Sequence, residues 1–152
     1  MKYINGDLIK LAQQGHFDVI IHGCNCFCAM GAGIAKQIRQ HFPEAYIADR
    51  QTKKGDVAKL GTYSCAKVRS RQHDFVVVNA YTQFHWSGDG VKLDYDAVYR
   101  VFTLLKQDFS GLRIGYPMIG AGLAGGDWHI IAPIIDKALC EENHTLVCYQ
   151  SA

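Results

Sequence analysis

The chain of 152 residues predicts an α/β fold, a three-layer α/β/α sandwich around a mixed, mostly parallel sheet. Three observations lead there. Short β-rich apolar runs alternate with segments of helical spacing along the whole chain. The run Phe75-Val76-Val77-Val78-Asn79-Ala80-Tyr81 is apolar on both faces, as a central strand must be. Two glycine-rich turns each leave a strand and enter a helical pattern, which places them at strand carboxyl ends, where ligands bind in open α/β sheets.

The elements follow in order. Residues 1–5 read as a short strand, 8–14 as a helix ended by Gly15, and 17–22 as a buried strand. Residues 33–42 carry Ile34, Ala35 and Ile38 at helical spacing, and Pro43 stops them; 44–52 form a second short helix. Strands are expected over 61–68 and 75–81. The longest helix, 94–109, bears Tyr95, Val98, Phe102 and Leu105 on one stripe. A strand over 112–119, a helix over 128–139 and a strand over 145–150 complete the pattern. Pro133 either kinks that last helix or marks its first turn. Tyr81, Phe84 and Trp86 form an aromatic cluster expected to pack in the core or at a rim rather than to stack on a base. No repeat or linker divides the chain, so residues 1–152 are expected to form a single domain.

Composition narrows the class. Hydrophobic residues make up 49% and charged residues 20%, an ordinary soluble profile. No apolar run approaches the roughly 20 residues of a membrane span. The first residues lack a secretory h-region, so a cytoplasmic protein and no membrane partner are expected. A net charge of +2 does not by itself call for a nucleic-acid partner; Lys53-Lys54 and Arg69-Ser70-Arg71 are expected to be solvated surface, and the chain to be a monomer. Of the six cysteines, Cys24, Cys26 and Cys28 alternate without a downstream pair, which does not match zinc spacing. No metal and no cofactor are expected.

The glycine turns carry the chemistry. The first runs from His22 to Ala35 and contains Met30-Gly31-Ala32-Gly33-Ile34-Ala35; the second runs from Pro117 to Trp128 and contains Ile119-Gly120-Ala121-Gly122-Leu123-Ala124-Gly125. Glycine lets a ligand approach the backbone, and the following helix offers free N–H groups to an anion. Two such loops suit a nucleotide diphosphate. The second is formally Gly-x-Gly-x-x-Gly, but a dinucleotide fingerprint opens a βαβ unit with an acidic residue about 20 positions on. Only 27 residues (152 − 125) follow Gly125, so it reads as a phosphate loop. No Gly-Lys-Ser/Thr follows Gly33, so a Walker loop is excluded.

These residues, with Asn5-Gly6-Asp7-Leu8 after the first strand and Ile20-Ile21-His22-Gly23-Cys24-Asn25 in the next, resemble the macro domain family, the ADP-ribose-binding fold, over nearly the whole chain. The His22-Gly23-Cys24-Asn25-Cys26 stretch looks most like the branch of the yeast ADP-ribose-1''-phosphate phosphatase and the human terminal ADP-ribose protein glycohydrolase. The resemblance implies that Asp7, with Leu8 beside it, binds the adenine, and that Tyr149 lies on that side. It implies that Asn25 contacts the distal ribose, and that Gly31, Ala32, Gly33 and Ile34 face Gly120, Ala121, Gly122, Leu123 and Ala124 across the diphosphate. The glycohydrolase's catalytic lysine and aspartate are matched here by Asn79 and Ala124, which puts the lysine-dependent mechanism in doubt. His22 matches a histidine proposed as catalytic in the phosphatase, and Asp127 could stand in as an acid.

Each of these residues also has an ordinary structural use. His22 could be a hydrogen-bonded structural histidine, Asn79 a strand-end partner, and Asp7 and Asp127 helix caps. The expected activity is hydrolysis of ADP-ribose-1''-phosphate, with His22, Asn25 and Asp127 as catalytic candidates. Removal of ADP-ribose from ADP-ribosylated protein, or binding without turnover, is the alternative.

Overall fold

The computed structural model describes residues 1–150. The elements are β1 (Lys2–Gly6), α1 (Leu8–Gln13), β2 (Val19–Asn25), α2 (Gly33–His41), α3 (Pro43–Arg50), a 3-10 turn (Val57–Lys59), β3 (Tyr63–Val68), β4 (Phe75–Gln83), α4 (Tyr95–Phe109), β5 (Ile114–Tyr116), α5 (Trp128–Ala138) and β6 (His144–Tyr149). The sheet has six strands in the order β1-β6-β5-β2-β4-β3. Every pairing is parallel except β3 on β4, so the sheet is mixed and mostly parallel, as the alternating pattern predicts.

Alternation along β2 splits the core in two. Val19 and Ile21 face α4 and α5, in a cluster with Val98, Val101, Phe102, Leu105, Ile131 and Ile135. Ile20 and Cys24 face the other helices, in a cluster with Leu8, Ile9, Ile38, Phe42 and Ala45. The sheet is thus covered on both faces, which gives the third layer. Asp18 anchors one end of it. Its carboxylate accepts from the Arg113 backbone N at 2.8 Å, from the Arg113 side chain at 3.0 and 3.1 Å, and pairs with His73 at 2.8 Å. The Arg113 guanidinium holds that carboxyl well below the usual range.

Several boundaries move, each for a local reason. The second predicted strand starts at Val19 rather than residue 17, because Asp18 is taken up by Arg113, and it continues to Asn25 across an irregularity between Cys24 and Asn25. The strand predicted over 112–119 shrinks to Ile114–Tyr116. Pro117 has no N–H for a ladder, and its carbonyl instead accepts from Ile119 N at 2.7 Å, which starts the loop. Pro133 sits inside α5 without ending it.

The second glycine turn is closed on itself. Gly126 N donates to Gly120 O at 2.7 Å. A Cβ on Gly126 would lie 2.6 Å from that oxygen and 2.6 Å from a Leu93 methyl. Gly120 itself has φ +76. By contrast, a Cβ on Gly122 would meet nothing within 4 Å. Gly126→Ala should therefore cost about 2 kcal/mol and lower Tm by roughly 4–8 °C, while Gly122→Ala stays within about 0.5 kcal/mol of the parent. Thermal unfolding of the two variants checks this, and equal Tm values would refute the contrast.

Candidate functional site

The carboxyl ends of β2 and β5 lie side by side, and the chain leaves them in opposite directions, from β2 to the side of the sheet holding β3 and β4 and from β5 to β6. That is the switch point at which open α/β sheets bind ligands. Each of the two strands runs into one glycine loop, and a cleft opens between the loops. Its larger cavity, about 610 Å³, is lined by Gly23, Cys24, Asn25 and Ala29, by residues 31–35, by Gln83 and Trp86, and by much of the second loop from Pro117 to Ala124. A second cavity of about 340 Å³ is lined by Asp7, Leu8, Gln37, Ala121 and Tyr149. Both share Ile34, Pro117, Met118 and Gly122, so they form one elongated cleft.

Physical differences mark the two ends and the middle. At the β1/β6 end, the Asp7 carboxylate caps α1: Oδ1 accepts from Ile9 N at 2.9 Å and Lys10 N at 3.3 Å, so both cap bonds use one oxygen and leave Oδ2 outside the cap. Tyr149, 72% exposed, offers a ring across from it on the same cavity. In the middle, α2 begins at Ala32 with no side-chain cap, and Gly31, Ala32 and Gly33 are exposed. The first N–H groups of α2 therefore have no partner within the helix and carry its positive dipole end. At the far end, Asn25 holds its loop: Oδ1 accepts from Phe27 N at 2.9 Å, and Nδ2 donates to Ala29 O at 2.8 Å.

Most of the residues expected at the site come together here: Asp7, Leu8, Ala121 and Tyr149 on the smaller cavity, and Asn25, Gly31, Ala32, Gly33, Ile34, Gly120, Gly122, Leu123 and Ala124 on the larger. Three do not. His22 is fully buried and points behind the sheet, where Nε2 lies 2.7 Å from Asn79 Oδ1. Asn79 is equally buried; its Nδ2 donates to Ala45 O at 2.9 Å and Ser64 Oγ at 3.1 Å. A carbonyl only accepts, so the amide orientation is set, Oδ1 must accept, and His22 Nε2 carries the proton. Both lie too far back along their strands to reach the cleft: the residues that line it are Gly23, Cys24 and Asn25 at the end of β2 and Gln83 at the end of β4. Asp127 also misses it. Its Oδ1 accepts from His129 N at 2.9 Å and caps α5.

Behind the sheet the His22–Asn79 pair continues through Ser64 Oγ to Tyr81 Oη at 2.7 Å, and Tyr81 Oη donates to Asp49 Oδ1 at 2.7 Å. Lys59 Nζ lies 4.6 Å above the Tyr81 ring and donates to Cys26 O at 3.1 Å. Burial raises the Asp49 carboxyl, and burial pushes His22 down to about 4. The three alternating cysteines diverge into this region rather than converging: Cys24 Sγ lies 3.5 Å from His22 Nε2, Cys26 Sγ donates to Gln83 O, and Cys28 Sγ donates to Asp49 O at 3.2 Å.

Sequence reasoning missed Gln83, Trp86, Ala29, Met118 and Cys24 as cleft residues. Gln83 was within reach, since β4 runs two residues past Tyr81 and only the strand's length hid it.

The chain belongs to the macro domain family, whose model matches residues 21–135. It is 40% identical over 141 residues to an uncharacterized 17.5 kDa protein of Enterobacteria phage T4, covering 90% of this chain and 88% of that one. It is 25% identical over 129 residues to a DNA ADP-ribosyl glycohydrolase of Mycobacterium tuberculosis, covering 83% of this chain but 35% of that protein. The fold matches Thermosipho africanus DarTG in complex with ADP-ribose, with a TM-score of 0.74 at 16% identity over 98% of this chain and 41% of that one.

The buried histidine has a consequence for stability. In the unfolded chain a histidine takes its proton near pH 6.5, whereas His22 holds off until about 4. Between those values the unfolded state binds more protons, so stability falls as pH drops through the window, by up to roughly 3 kcal/mol. His144, also held down by burial, adds to the fall, while Asp49 opposes it. Urea unfolding at pH 7, 5.5 and 4.5 should show the loss, and His22→Gln should make it shallower; an unchanged slope would contradict the assignment.

Proposed function

We propose that the protein binds ADP-ribose in the cleft and hydrolyses the bond between its distal ribose and an attached group. The observation that carries this is the order of chemistry along one cleft: a carboxylate and an exposed ring at one end, bare backbone at the start of an uncapped helix in the middle, and a polar amide pair, Asn25 and Gln83, at the other. A purine, a diphosphate and a ribose need those features in that sequence. The named activity of the mycobacterial relative and the ligand of the Thermosipho structure support the same ligand.

The wall chemistry favours one bond. Among the described residues, the larger cavity is lined by no carboxylate, histidine, lysine or arginine, and its cysteine is held protonated by burial. Phosphate monoester cleavage asks for a nucleophile or a base to activate water, and an acid for the leaving oxygen. Cleavage at the anomeric carbon passes through a cationic, oxocarbenium-like state. The ligand's own diphosphate, held on the α2 amides, stabilises that charge, and Asn25 and Gln83 orient the water. ADP-ribose-1''-phosphate remains the second substrate, favoured by the His22-Gly23-Cys24-Asn25 stretch alone, with His22 too deep to touch it.

Calorimetry with ADP-ribose comes first. Asp7→Ala should weaken binding about ten-fold, and Gly122→Ala, which is expected to fold normally, should weaken it at least as much by placing a methyl in the cleft. Unchanged affinity in both would exclude the cleft as the site. Product analysis then separates the activities: release of free ADP-ribose from a conjugate supports the proposal, and release of inorganic phosphate from ADP-ribose-1''-phosphate supports the phosphatase instead.

A further inference from the structure

Cys28 and Lys59, behind the first glycine loop, have no part in the cleft chemistry. Lys59 is only 8% exposed. Its Nζ donates to Cys26 O at 3.1 Å and to Cys28 Sγ at 3.7 Å, and stands over the Tyr81 ring. No described ion pair engages it. The buried carboxyl of the same cluster, Asp49, accepts from the Tyr81 hydroxyl, and burial holds it toward its neutral form. Lys59 thus has hydrogen bonds but no counter-charge, which a buried ammonium ordinarily requires. It is aimed at a sulfur.

Thiol reactivity follows exposure and a neighbouring cation. Of the six cysteines, Cys24 and Cys26 are buried, and burial keeps both thiols protonated. At Cys65, partial burial and then the Asp108 carboxylate push the thiol up. Cys140 is exposed beside Lys106, whose charge Glu142 takes up at 3.7 Å. Cys148 lies against the Tyr3 hydroxyl. Cys28 is the one that is half-buried and also faces an ammonium with no counter-ion.

We propose that Cys28, paired with Lys59, is a site of modification by hydrogen peroxide, and that its oxidation loosens the first glycine loop. The thiol proton leaves, and Lys59 stabilises the thiolate. Sγ then forms a bond to one peroxide oxygen as the O–O bond breaks. The departing hydroxide takes up a proton as water, so the peroxide is reduced and the sulfur is oxidised to a sulfenic acid.

The consequence for the loop follows from the contacts. Two ties hold its root from behind: Cys28 Sγ donates to Asp49 O at 3.2 Å, and Lys59 Nζ donates to Cys26 O. An added oxygen has no room on the line from Sγ to Asp49 O. Thr52 Oγ1, 3.7 Å from Sγ, is already donating to Asp49 O. The new oxygen therefore turns to Lys59 and draws Nζ off Cys26 O, so both ties weaken together. Asn25 links Phe27 N to Ala29 O across this segment, and Ala29 lines the cleft. Oxidation should therefore weaken ligand binding, an effect that rests on the proposed ADP-ribose cleft.

The test exposes the folded protein to limiting hydrogen peroxide, traps sulfenic acid with dimedone and reads each cysteine by peptide mass spectrometry. Cys28 should be labelled about ten-fold faster than Cys65 in the same molecules, a ratio that needs no variant. Lys59→Met, with its folding checked by thermal unfolding, should bring Cys28 down to within about three-fold of Cys65, whereas the surface change Lys53→Met should leave the ratio as it was. In calorimetry without dimedone, peroxide should weaken ADP-ribose binding about five-fold, and a dithiol should restore it. Cys28→Ser keeps a donor for Asp49 O, so it should bind ADP-ribose as the parent does and ignore peroxide. The proposal is overturned if Cys65 or Cys140 is labelled as fast as Cys28, if Lys59→Met is labelled like the parent, or if Cys28→Ser loses affinity on oxidation as the parent does. Absence of ADP-ribose binding by the untreated protein would instead remove the cleft assignment, and the labelling ratio would still decide the site.

Discussion

Everything at the cleft depends on β2 being hydrogen-bonded in parallel on both sides, to β5 and to β4. Parallel pairing brings three strand ends to one edge, and the reversal of chain direction around β2 keeps the space above them free of a crossing connection. The packing there is tight. A Cβ on Gly23 would lie 2.9 Å from Thr82 Oγ1 and 3.1 Å from an Ile119 methyl. That glycine lets β2, β4 and the loop after β5 close together, and the two loops then rise from a common floor. A side chain at this point would separate the loops before any ligand arrived.

The two faces of the same strands carry opposite chemistry. Toward the cleft are glycines, small residues and amides; behind the sheet, His22, Asn79, Ser64, Tyr81, Asp49 and Lys59 form a connected polar chain under the helices. Buried polar groups are costly unless paired, and these are paired. The chain ties α3 to the sheet through Asn79 and Ala45, and Lys59 holds the carbonyl of Cys26 at the root of the first loop. Cys28, in the left-handed region at φ 57, turns that loop back toward the cleft. The loop is therefore fixed from behind, by groups that never meet the ligand, while its exposed edge keeps its amides free.

The fold and the middle of the site were legible because they are written in local patterns. Alternating apolar runs and helical stripes specify layers, and glycine turns between a strand and a helix specify where a bare backbone faces solvent. Both loops are legible this way, while Asp7 and Asn25 enter only through the resemblance to the family. The distal end was misread for one geometric reason. His22 and Asn79 share their strand faces with Cys24 and Gln83, which do line the cleft, so depth along the strand decides, and a run that is apolar on both faces contains no marker of where the strand ends. His22 and Asn79 are chemically suited to catalysis, and their burial is invisible until α3 and β3 are packed against them.

Sequence by itself determined the α/β layering, the two glycine loops at strand ends, the carboxylate at the start of α1 and the membership of this family. Each depends on neighbours a few residues apart, or on glycine's unique freedom. Tertiary structure decided the rest: that His22 and Asn79 serve the interior, that Asp127 caps a helix, and that Gln83 and Trp86 complete the cleft. Those assignments turn on strand register, strand length and the packing of segments far apart in the chain, such as Phe27 beneath His85, and no local pattern encodes them.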